Sequence, residues 1–108
     1  KLNFLLETVE RMLGQCPNLY IDLSWTMLQP YLLDENGQPD EQWVHLVSSY
    51  PDRFMLGSDV VGRFGNLGEY MKGFEPFLDA LPEDVAHKVA RDNFLSVLPR
   101  RVQAELDR

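Results

Sequence analysis

Arg53-Phe54-Met55-Leu56-Gly57-Ser58 places three apolar side chains in a row between an arginine and a glycine–serine pair. A short continuous apolar run bounded by turn residues suits a strand covered on both faces, the kind that parallel sheets contain. Tyr50-Pro51-Asp52 supplies the turn before it, and Gly57 lets the backbone bend or be approached closely at its end. Asp59 is the first charged side chain after the run. Upstream, Asn18-Leu19-Tyr20-Ile21-Asp22-Leu23-Ser24 alternates, with Leu19, Ile21 and Leu23 on one face and Tyr20, Asp22 and Ser24 on the other. Period two predicts a second strand. Its polar face is mixed rather than uniformly charged, which fits the inside of a barrel better than a solvated surface.

Helical patterns flank both runs. Leu2, Leu5, Leu6, Val9, Met12 and Leu13 predict a helix over 2–13, with Gly14 as its stop and Pro17 just beyond. Residues 25–39 form a long connection holding Pro30, the Asn36-Gly37 turn signal and Pro39. Asp40 is suited to cap a helix over 41–50. Gly62, Gly65 and Gly68 mark 60–68 as a loop, and a helix is expected over 69–80, kinked or late-starting because of Pro76. Pro82 at N1, followed by Glu83 and Asp84, opens another helix to about Arg91. A short helical turn over 93–98 and a terminal helix after Pro99 complete the chain.

Helix, strand, helix, strand, helix implies parallel pairing through right-handed crossovers. Two such strands cannot cover three or four helices and also close a sheet. The expected fold class is therefore α/β, an arc of a larger sheet, with strands near 18–24 and 53–58.

The composition narrows the function. The chain has 108 residues, 44% hydrophobic and 25% charged, enough for one small globular unit. A net charge of −7 argues against nucleic-acid and anionic-membrane partners, which need clustered Lys and Arg. Cys16 is the lone cysteine, so no disulfide forms within the chain; this fits a reducing, cytoplasmic setting. No run approaches the roughly 18 apolar residues of a membrane span. Lys1 opens an amphipathic segment containing Glu7 and Glu10 rather than a signal peptide.

Three motifs in order resemble the C-terminal part of the amidohydrolase family, in the branch containing decarboxylases and lactone or amide hydrolases. Tyr50-Pro51-Asp52-Arg53-Phe54 through Gly57-Ser58-Asp59 resembles that branch's last barrel strand. Pro17-Asn18-Leu19-Tyr20-Ile21-Asp22-Leu23-Ser24 resembles the strand before it, and Leu81-Pro82-Glu83-Asp84 through Arg91-Asp92-Asn93-Phe94 the closing helix. The resemblance spans nearly the whole chain. It implies the last two strands of a (β/α)8 TIM barrel with their helices and the C-terminal helices. The complete barrel, of more than about 250 residues, carries its chemistry at the C-terminal strand ends.

It also implies an enzyme acting on a small molecule: hydrolysis of a C–N or C–O bond, or decarboxylation of an organic acid, through water activated by a divalent metal, zinc first among them. A metal lowers the pKa of bound water from about 15.7 toward about 7. Asp59 corresponds to the metal ligand and general base; a turn aspartate after a strand is the plainer reading. Asp22, Ser24 and Trp25, at the end of the first strand, are candidates for substrate contact or support, and Arg63 beside Phe64 for meeting a substrate carboxylate. The histidines that the family places after earlier strands have no counterpart here. His45 and His87 read as helix-surface residues, and a metal site needs about three or four converging ligands. The metal is therefore not expected to be held by this chain alone. The competing expectation is a non-catalytic interaction or oligomerisation module, because a quarter barrel exposes strand edges that recruit partners or the missing part of the barrel.

Overall fold

The computed structural model describes residues 4–24, 27–59, 65 and 67–106. Helix α1 (Phe4–Gln15) leads to strand β1 (Ile21–Leu23), helix α2 (Glu41–Ser49) and strand β2 (Phe54–Leu56). The two strands pair in parallel, with Ile21 opposite Phe54, Asp22 opposite Met55 and Leu23 opposite Leu56. The fold is thus α/β, mostly helical, with a two-stranded parallel sheet. No helix among the described residues is long and apolar enough to cross a membrane.

Both strands are shorter than their sequence patterns. The ladder ends where partners end: Leu19 N–H turns back to Cys16 C=O at 3.1 Å instead of extending β1. Ile21, Leu23, Phe54 and Leu56 share one face. Leu23 and Phe54 are completely buried there among Val9, Leu13, Trp43, Leu46, Phe77 and Val89, while Ile21 and Leu56 pack against the same core. Asp22 and Met55 lie on the other face, which the core does not cover; Asp22 is exposed and Met55 half-buried. A solvated second face explains why only the alternate positions of the apolar β2 run enter the core.

The helices follow from local chemistry with some displaced ends. In α1 Val9 and Leu13 are buried, but Met12 is 41% exposed and the helix runs through Gly14 to Gln15. Asp40 caps α2 as expected, its Oδ1 accepting from Gln42 N–H at 2.9 Å and Trp43 N–H at 3.1 Å. That cap aims Trp43, Leu46 and Val47 into the core at helical spacing. Before α2, Leu33 and Pro39 bridge around the Asn36-Gly37 turn, with Gly37 at φ +76° and Asp34 Oδ1 accepting from Asn36 and Gln38 N–H.

The helix expected over 69–80 is two: α3 (Leu67–Lys72) and α4 (Glu75–Ala80), with Pro76 in the first turn of α4. Proline lacks the N–H that a continuous helix would need there, so the chain restarts instead of kinking. Pro82 sits just before α5 (Glu83–His87) rather than inside it, at φ −53° and ψ 144°. Instead of ending near Arg91, the helical path continues through a wide turn, Lys88–Asp92, into α6 (Asn93–Ser96); Asn93 N–H closes that turn on Lys88 C=O. Val85, Val89 and Asn93 are all buried. Steps of four residues drift by about 40° at 3.6 residues per turn. The wide turn takes back part of that drift and keeps the three side chains in line. Helix α7 (Arg100–Leu106) ends the described chain.

Candidate functional site

Of the residues to which the sequence assigned chemistry, Ser24 and Asp59 follow the C-terminal ends of β1 and β2, and Asp22 is the middle residue of β1. Ser24 follows β1 directly, one residue past the Leu23–Leu56 pair. Asp59 leaves β2 three residues after Leu56, exposed, and holds φ +53°. It is the only described residue other than glycine with a positive φ. Aspartate enters this left-handed region more readily than most residues, but a non-glycine there still costs about 1 kcal/mol. The positive φ thus falls at Asp59 itself, and not at Gly57 or Ser58.

Gly57 serves a different need. A Cβ on it would stand 2.6 Å from Asp22 Oδ1 and 3.2 Å from Oδ2. The Asp22 carboxylate therefore leans from the middle of β1 across the open face toward the end of β2. A side chain at 57 would push that carboxylate aside. Asp22, Ser24 and the Gly57-Ser58-Asp59 exit form one polar end of the sheet. Trp25 and Arg63, with Phe64, lie outside the described residues.

The motif residues at the other end of β2 have structural partners. Arg53 Nε donates to Leu19 C=O at 2.6 Å and Arg53 Nη2 donates to Cys16 C=O, tying the start of β2 to the approach of β1. Asn93 Nδ2 donates to Pro51 C=O at 2.8 Å and to Phe54 C=O at 2.9 Å, across 42 and 39 residues of chain. Lys88 Nζ meets Asp52 Oδ1 at 2.9 Å, and that hydrogen bond and charge hold the Lys88 pKa above its ordinary value. Sequence reading noted Pro51-Asp52-Arg53-Phe54 and Asn93 as a pattern without assigning these contacts. The one signal available was that a polar Asn continued the apolar Val85–Val89 spacing.

His45 and His87 are both exposed on their helices. Among the described residues no three His, Cys, Asp or Glu side chains converge on a point that could hold a metal. A groove of about 940 Å³ runs along α2 and is lined by Asp34, Asp40, Glu41, His45 and Ser48. It contains none of Asp22, Ser24 or Asp59, and the Asp34 and Asp40 carboxylates facing it already accept backbone hydrogen bonds. The polar end of the sheet remains the better candidate. No protein-family model, curated protein or solved structure matches the chain.

Proposed function

We propose that this chain is the C-terminal arc of an amidohydrolase-type (β/α)8 barrel and that Asp59 is its contribution to the active centre. The observation that carries this reading is the exposed Asp59, held in the left-handed region where a parallel strand ends. Strained backbone persists where the surroundings enforce it, and such positions cluster at functional sites. A sheet with its helices on one face and a polar, uncovered other face is also how an arc of a barrel is arranged. On this reading the open face, with Asp22, Met55 and Gly57, is the barrel interior, and Ser24 borders the mouth.

The proposed reaction is hydrolysis of a C–N or C–O bond, or decarboxylation of an organic acid, on a small molecule. A divalent metal, zinc being the first candidate, would supply an activated water. The described residues do not fit such an ion by themselves: Asp59 is a single ligand, and the others would come from the remaining strands. What this chain supplies is a carboxylate able to accept a proton at the strand end and, in Asp22, an acceptor for a substrate hydroxyl or amine.

The test uses the polypeptide encoded by the complete reading frame. A His-x-His after an early strand, one bound divalent ion per chain, and loss of at least about 10²-fold in kcat for Asp59→Asn are expected. An intact frame without the His-x-His, or an Asp59→Asn enzyme with unchanged kcat, defeats the proposal.

The second reading, a non-catalytic interaction or oligomerisation module, is favoured by the apolar surface. Tyr20 beside the open sheet face is 43% exposed, and Phe94 and Val97 are 52% and 46% exposed. A stable oligomer of the complete polypeptide with no bound metal and no hydrolase activity would favour this reading.

A further inference from the structure

Asn36-Gly37 is the only asparagine–glycine step in the chain, and it lies in a turn that takes no part in the polar sheet end. The pair carries a reactivity of its own. A backbone nitrogen that follows asparagine can attack the side-chain carbonyl carbon and close a cyclic imide. A side chain on the following residue hinders that attack, and glycine has none. The other described asparagines precede Leu19 and Phe94, and Asn93 is buried with its amide donating to two carbonyls. Asn36 is exposed, so water reaches both the amide and the imide.

The turn opposes the first step. Gly37 N–H, on the attacking nitrogen, donates to Asp34 C=O at 3.0 Å, and that carbonyl also accepts from Gln29 Nε2 at 2.8 Å. Asp34 Oδ1 accepts from Asn36 N–H at 2.8 Å and from Gln38 N–H at 2.9 Å, fastening the backbone on both sides of Gly37. Attack requires the nitrogen to lose its proton and to swing toward Asn36 Cγ. Both movements need the turn to open locally.

We propose that Asn36 is a self-modifying site: it deamidates through Gly37, and the Asp34 carboxylate holds the turn closed and sets the rate. The bond from Gly37 N to Asn36 Cγ forms and the Cγ–Nδ2 bond breaks. Nδ2 leaves as ammonia, taking the proton that Gly37 N gives up. Water then opens the imide at either carbonyl carbon and leaves an aspartyl or an isoaspartyl linkage at position 36. Either product adds one negative charge to a chain already at −7.

The test incubates the polypeptide encoded by the complete reading frame in mildly alkaline buffer and follows the mass of the peptide containing position 36. Wild type is expected to convert there slowly when folded and faster in urea. Asp34→Ala, which loses two hydrogen bonds to a carboxylate, is expected to convert about tenfold faster than folded wild type. Asp34→Asn keeps a side-chain oxygen able to accept both bonds and should stay near the wild-type rate. Absence of conversion at position 36 in urea overturns the proposal. So does a folded Asp34→Ala chain no faster than wild type, or an Asp34→Asn chain as fast as Asp34→Ala. If Asp34→Ala does not fold, the wild-type comparison decides: equal rates in the folded state and in urea overturn the proposal.

Discussion

At its N-terminal end β2 is tied down from three sides: Asp52 by Lys88, Phe54 C=O by Asn93, and Arg53 by its own bonds to the Cys16 and Leu19 carbonyls. At its C-terminal end, three residues past Leu56, an exposed Asp59 holds φ +53°, and the Asp22 carboxylate lies close over Gly57. One end spends its polar groups on the fold. The other carries an exposed aspartate at a cost in backbone conformation. Substitutions at the two ends should therefore move stability in opposite directions.

The largest effect is expected at the tied end. Asn93→Ala leaves the buried Phe54 carbonyl and the part-buried Pro51 carbonyl without their donor and should cost about 1–3 kcal/mol, read as a lower urea midpoint with unchanged slope. A loss below about 0.5 kcal/mol would mean that water replaces the amide freely and that this end is not anchored as described.

At the other end the sign should reverse. Asp59→Gly removes the left-handed strain at the price of a more flexible unfolded chain, and a net gain of up to about 1 kcal/mol is expected. If Asp59→Gly destabilises the chain by as much as Asn93→Ala, the Asp59 carboxylate is serving the fold and the contrast between the two ends fails.

The smallest effect belongs to the solvent-exposed Lys88–Asp52 pair, whose side chains are 39% and 70% exposed. Asp52 raises the Lys88 pKa in the folded chain, from the ordinary 10.5. A raised folded pKa means that the contribution is fully present below the unfolded lysine's pKa and is lost as pH rises through the folded one. The stability difference between wild type and Lys88→Met should thus be constant from pH 6 to about 9 and shrink above about 10.5. Added salt should shrink it at any pH. A difference already changing near neutral pH would point to another titrating group.

Much of the element order was legible before any coordinates. Asp40 capping α2 and the Asn36-Gly37 turn follow from cap and turn chemistry, which act within a few residues, and the parallel pairing of the two strands follows from the helix between them. Element ends were less legible. Helix α1 ends at Gln15, one residue past Gly14. Pro76 divided a helix and did not bend it. The strands came out at three residues each because a ladder lasts only as long as its partner does. At the candidate site, the placement of Asp59, Asp22 and Ser24 at one sheet end followed from strand direction. The left-handed backbone at Asp59 and the closeness of Asp22 to Gly57 did not, since both depend on how β1 lies beside β2.

Sequence alone determined that this is an α/β chain with two strand-forming runs and an aspartate leaving the second of them, since those properties are written in short-range patterns of side chains. Tertiary structure alone decided what Arg53 and Asn93 do. Their partners are carbonyls 34 to 42 residues away, and nothing in the spacing of side chains reveals which backbone groups a fold will leave unpaired until the strands are in register.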